Sequence, residues 1–302
     1  MAALALPNWK IAPAAIFQRR AFGDPRRMIL AARTNHLRRR EQTPARVTQI
    51  ELFFDLVFVF AVTQVSHFML EHLSPLRLAQ SGLLLAAVWW VWIYTAWVTN
   101  WLDPDRRPVR VALLALMLAG LVLSTSAPEA FAKHGLAFAG AYVAMQLGRS
   151  LFVLWAVRRH DRALFASFLR IAAWQALSGV LWLCGGLAAH GQRTPIWAAA
   201  LVVEFLAPAA LYWTPGLGRS ATTDWQVDGS HMAARCSAFV LIALGESLTV
   251  TGASFAAIPW TGPTLAAFAA AFIEATALWW IYFDSAAENT RHAFAVASDT
   301  GR

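Results

Sequence analysis

Apolar runs of membrane length alternate with short polar breaks from about residue 50 to residue 284. Eight stretches, approximately 50–70, 79–99, 109–126, 136–157, 168–188, 197–214, 234–257 and 264–284, are each long enough to cross roughly 30 Å of hydrocarbon as a helix. Turn signals separate them: Ser74 and Pro75, Asp103 to Asp105 around Pro104, Ala127 and Pro128, Gly185 and Gly186, Thr214 to Gly216, and the stretch from Pro259 to Pro263. The pattern predicts an all-α, polytopic transmembrane helix bundle of about eight spans. Residues 48–285 form the transmembrane domain in this reading. Residues 1–47 form a basic, largely disordered cytoplasmic tail, and residues 286–302 form a second cytoplasmic tail.

Composition agrees with the pattern. The 302 residues are 58% hydrophobic with a mean hydropathy of +0.49. Charged residues make up 14%, against about 25% in an ordinary soluble domain. A net charge of +8 would suggest nucleic acid as a partner of a soluble protein, but here the charge is segregated. With the N-terminus inside, every Lys and Arg falls in a cytoplasmic segment except Arg77, Lys133 and Arg193 outside and Arg149 within a span. That asymmetry is a positive-inside signature and puts both termini in the cytoplasm. The partner it implies is the lipid bilayer, not nucleic acid. Fifteen Trp are expected mainly as anchors at the headgroup level. Cys184 and Cys236 have no metal-ligand spacing and read as buried free thiols. No cofactor motif and no metal motif is present in the sequence.

Acids inside apolar runs are the candidate chemistry, because each is costly at the bilayer centre. On the first span Glu51, Asp55, Ser66, Thr63 and His67 fall within about 160° of arc at 100° per residue. That face is expected to point into the bundle, since lipid offers polar groups no partner. Glu51 and Asp55 are neighbours at i, i+4, and two close acids in low dielectric share a proton or a cation. A helix cap for Glu51, an interhelix pair for Asp55 and an interfacial position for His67 are the plainer alternatives. Glu204, Glu246 and Glu274 each lie about ten residues, or about 15 Å, into their segments. Arg149, with Gln146 and Tyr142 on its face, is the one basic side chain placed deep in the hydrocarbon. Asp55, Glu204, Glu246 and Glu274 thus outnumber their cation. One of them is expected to pair with Arg149, and the rest to be protonated, bound to a cation or turned toward a shared wet cavity.

Several stretches resemble the bacterial low temperature requirement protein A family. They are ELFFDLVFVFA at 51–61 with Thr63, Gln64 and His67, TNWLDPDRRPVR at 99–110, Gly148 with Arg149, YWTPGLGR at 212–219, ALGES at 243–247 with Thr251 and Gly252, and WWIYFD at 279–284. The resemblance covers residues 46–302. It implies a multi-pass protein of the bacterial cytoplasmic (inner) membrane, and it implies no established activity. It also implies further hydrophobic segments after Arg302, so the chain is expected to be truncated relative to the family. The acid surplus points to transport linked to protons or small cations through an acidic cavity, with Glu51, Asp55, His67, Arg149, Glu204, Glu246 and Glu274 as candidates. An intramembrane enzyme acting on a lipid or isoprenoid is one alternative, and a structural or sensory membrane protein is another. No complete catalytic set is present, which argues against an enzyme.

Overall fold

The computed structural model describes residues 36–38, 47–221 and 227–299, the last fifteen of these as helical backbone only. Eight α-helices are present among the described residues. They are α1 (Gln49–Glu71), α2 (Pro75–Trp101), α3 (Arg107–Ser126), α4 (Gly135–Val157), α5 (Arg162–Leu187), α6 (His190–Ala209), α7 (Gly229–Ala256) and α8 (Gly262–Asp299). A 3₁₀ turn, Ala127–Glu129, follows α3. All but α6 are long and apolar enough to cross a membrane. The expected sixth span, 197–214, is helical, but it begins at His190 instead of 197 and carries Arg193, Glu204 and two prolines. α8 runs on to Asp299, past the boundary expected at residue 285.

Local chemistry sets the helix starts. Ser74 accepts at Oγ from the Arg77 N–H (3.2 Å), with Pro75 filling the first helical position where no donor is needed. Asp161 caps α5 through the Leu164 N–H, 2.9 Å away. Asp228 caps α7 through the amides of Ser230 and His231. That last cap starts α7 five residues earlier than the apolar pattern does. The difference matters, because it moves Arg235 from the cytoplasmic edge of the predicted span into the second turn of a helix.

α2 is the most buried of the seven apolar helices and packs against α1, α4, α6 and α7. α4 and α5 pack closely, as do α5 and α6. A Cβ at Gly185 would collide with the Trp197 ring, so glycine is what lets α6 approach α5 there. Arg193 closes the same end. Buried, it donates to the carbonyls of Ala130, Ala132, Gly185, Gly186 and Ala188, which helix ends leave open. Trp92, Trp182 and Trp197 are fully buried and do not anchor at an interface. Each uses its indole N–H on a buried acceptor, which is what makes such a ring tolerable in a core.

The terminal hairpin, α7 and α8, is attached differently. On α7 only His231, Arg235 and Phe239 are buried, a single stripe at four-residue intervals. Near the start of the described chain, Leu37 bridges to Leu102, and the amides of Arg38 and Asp103 donate to Trp101 and His36 carbonyls. This part of the expected tail is therefore paired, and residues 1–35 and 39–46 lie outside the described residues.

Candidate functional site

Two buried polar clusters occupy different faces of α2. The first joins α1 to α7. Glu51 sits in the first turn of α1 and accepts at Oε2 from the Thr48 N–H (2.8 Å) and Thr48 Oγ1 (2.9 Å), with Arg38 Nη2 at 3.4 Å. This is a capping arrangement, so the plainer alternative for Glu51 holds. The same carboxyl does more. Its Oε1 lies 3.0 Å from His231 Nε2 and 3.8 Å from Arg235 Nη1. Asp55, one turn on, accepts from Arg235 Nη2 (2.6 Å) and from the Trp92 indole N–H (2.8 Å). Glu51, Asp55, His231 and Arg235 are each about 1% exposed or less.

The hydrogen-bond pattern fixes the His231 tautomer. Asn100 Oδ1 accepts from the Asp228 N–H (2.8 Å), which orients the amide. Asn100 Nδ2 then donates to the Asp228 carbonyl (2.9 Å) and to His231 Nδ1 (3.2 Å). His231 Nδ1 is therefore an acceptor, and the ring proton sits on Nε2, where it is donated to Glu51. Two carboxylates thus face two guanidinium groups, Arg38 and Arg235, with a neutral imidazole between. At the Asp55–Arg235 pair, Asp55 Oδ2, Arg235 Nε and Arg235 Nη1 are buried without a hydrogen-bond partner among the described residues.

The second cluster joins α4, α5 and α6. Glu204 accepts from Tyr142 Oη, Ser178 Oγ (2.7 Å), Trp182 Nε1 (3.3 Å) and Gln146 Nε2 (3.4 Å). Arg149 does not touch it. Arg149 Nη1 donates to the Val91 carbonyl (3.2 Å) and Thr95 Oγ1 (3.1 Å), and Nη2 donates to Gln146 Oε1. The Gln175 amide satisfies its neighbours when its nitrogen faces Ser150, and its oxygen then accepts from Arg149 Nη2 at 3.2 Å. Gln146 therefore links cation to anion, one amide end on each. Beside it the hydroxyls of Tyr94 and Tyr212 are hydrogen-bonded. Tyr212 is turned inward by left-handed backbone at Leu211 and Tyr212 (φ 52° and 51°), a conformation that costs about 1 kcal/mol or more per non-glycine residue.

These positions revise the expected site. Asp55 pairs with Arg235, not with Arg149, and Arg149 is not the one deep cation. Tyr142, Gln146 and Arg149 do share one face, and Gln146 there joins Arg149 to Glu204 without a direct pair between the two. His67 and Ser66 are exposed, because both lie near the end of α1, where an inward face is no longer required. Glu246 is half-buried and Glu274 exposed, so the acids share no single interior chamber. His231, Asn100, Ser178 and Trp182 were not singled out from the sequence. For His231 a signal existed, the Asp228 cap two residues before Ser230. Among the described residues no three His, Cys, Asp or Glu side chains gather where they could hold a metal ion.

The profile of the family described as bacterial low temperature requirement A protein (LtrA) matches residues 46–302. An uncharacterised protein of Rhizobium meliloti (strain 1021) is 42% identical over 271 residues. That alignment covers 89% of this chain and 65% of the relative, so the chain spans about two-thirds of the relative's length. No solved structure matches the chain.

Proposed function

The chain belongs to the bacterial low temperature requirement A family, and on that footing we propose that it is a transport protein linked to protons or small cations, with Asp55 as its exchange site in the seam between α1 and α7. The bilayer is its setting. The charge asymmetry supports the bacterial cytoplasmic membrane with both termini inside.

One observation carries the reading: the seam is shut by buried ionisable groups at one end and opens toward the other. At the basic end Glu51, Asp55, His231 and Arg235 are fully buried. Further along the same face of α1, Val62 is half-buried and Ser66 exposed. On α7, Phe239 is buried, Glu246 half-buried and Thr249 exposed. Glu246 returns to within about 20° of Arg235 around the helix and lies about 16 Å further along its axis. An acid-bearing face thus leads from the outer side toward Asp55. Asp55 Oδ2 is buried without a hydrogen-bond partner among the described residues, and Arg235 holds the other oxygen. Protonating Asp55 would weaken its hold on Arg235, and Arg235 belongs to the less tightly attached hairpin. Loading and hairpin movement are coupled in this way.

The test is flux. Protein reconstituted in vesicles with a trapped pH indicator is expected to dissipate an imposed pH or cation gradient. Folded Asp55→Asn is expected to lose that flux, and Glu274→Gln to keep it. Equal flux in wild type and Asp55→Asn would end the proposal.

A further inference from the structure

Between α2, α3 and α4 lies a cavity of about 380 Å³, with no residue of α1, α5, α6 or α7 among those lining it. Its walls are apolar, and Arg149 is the one charged residue among those lining it. Small side chains make the opening: Ala115, Ala144 and Gly148 are exposed on the outer surface of α3 and α4. A Cβ built at Gly148 meets nothing within 4 Å. The cavity therefore opens sideways, toward where acyl chains lie.

Arg149 is 1% exposed, and its direct hydrogen-bond partners are all neutral: a carbonyl, a hydroxyl and two amides. Its Nε–H is buried with no partner among the described residues. A buried cation held by neutral groups, with an unused donor, beside an apolar pocket open to lipid, suits a ligand that carries both an anion and a hydrocarbon tail. The volume sits at the small end of the range for ligand sites and below what a two-chain phospholipid needs.

We propose that this cavity binds a single-chain amphiphile with an anionic head, a long-chain carboxylate, whose oxygen takes the Arg149 Nε–H while its tail fills the space beside Ala115 and Gly148. The idea is independent of proton exchange at Asp55. Its link to a buried acid is Gln146, which touches both Arg149 and Glu204, in the cluster that does not contain Asp55.

The experiment titrates the full chain, purified in non-ionic detergent, with dodecanoate and separately with dodecanol, and counts adducts by native mass spectrometry. One saturable dodecanoate adduct is expected. Dodecanol should bind about fivefold more weakly, because a charge-assisted hydrogen bond is roughly twice as strong as a neutral one of about 1 kcal/mol. Ala115→Trp fills the pocket from its exposed wall and should abolish the adduct at an unchanged Tm. Arg149→Gln, where it folds, should reduce dodecanoate to the dodecanol level. Equal binding of the two probes would reduce the cavity to an ordinary groove for lipid tails and overturn the proposal. So would undiminished dodecanoate binding by Ala115→Trp.

Discussion

Arg235 donates from Nη2 to Oδ1 of Asp55 at 2.6 Å, from a helix 180 residues further along the chain. Both side chains are essentially inaccessible, so the pair fastens the terminal hairpin to α1 in low dielectric. Removing one partner of such a pair costs about 3–5 kcal/mol, whereas replacing both by apolar groups of similar size is often close to neutral. Asp55→Ala is therefore expected to lower stability by about that amount. The double variant Asp55→Leu with Arg235→Met should recover most of it. A thermal or denaturant unfolding series in detergent, read as a double-mutant cycle, checks both.

Asn100, on α2, makes three hydrogen bonds to the start of α7, two with Asp228 and one with His231. Asn100→Leu removes the Asn100 acceptor from the Asp228 amide and frees His231 to change tautomer. Each buried group left unpaired costs about 1–3 kcal/mol. Hydrogen exchange should accelerate in the first turns of α7, near His231 and Arg235, and stay unchanged in α4 and α5. Uniform acceleration through all helices would show that the hairpin is not a separate cooperative unit.

Glu204 and Glu274 are both glutamates inside apolar segments, yet only the first should be sensitive to loss of its charge. Glu204→Gln turns an amide N–H₂ toward donors, Tyr142 or Ser178, whichever way it faces. A loss of about 1–3 kcal/mol is expected. Glu274 is exposed, and Glu274→Gln should stay within about 0.5 kcal/mol of wild type. Unfolding midpoints of the two purified variants decide this.

Orientation follows from charge and is open to chemical labelling. Ser74→Cys, at the start of α2, should react in intact cells with a thiol reagent that cannot cross membranes. Arg159→Cys, between α4 and α5, should react only after the cells are opened. The reverse result would invert the bundle.

The helical architecture is legible in the sequence because hydrocarbon forces it: an apolar run of membrane length has few other solutions. Burial of Glu51 and Asp55 is legible for the same reason, as is the grouping of Tyr142, Gln146 and Arg149 on one face of α4. The partner of Asp55 is not. Arg235 looks like a cytoplasmic cation at the edge of a span when only hydropathy marks the helix start, and the Asp228 cap, a local polar signal, moves that start upstream. The donors around Glu204 come from α4 and α5, and no pattern within α6 foretells which helices will face it. Glu246 and Glu274 mislead because depth along a helix is readable from sequence, whereas the direction a side chain faces depends on which neighbours pack there.

Infrared difference spectroscopy of the carboxylic C=O stretch, recorded on reconstituted protein across a step from neutral to acid pH, tests directly whether Asp55 exchanges a proton at the α1–α7 seam. A band that appears on acidification in wild type, persists in Glu274→Gln and vanishes in folded Asp55→Asn is the expected result. An unchanged band in Asp55→Asn would contradict it.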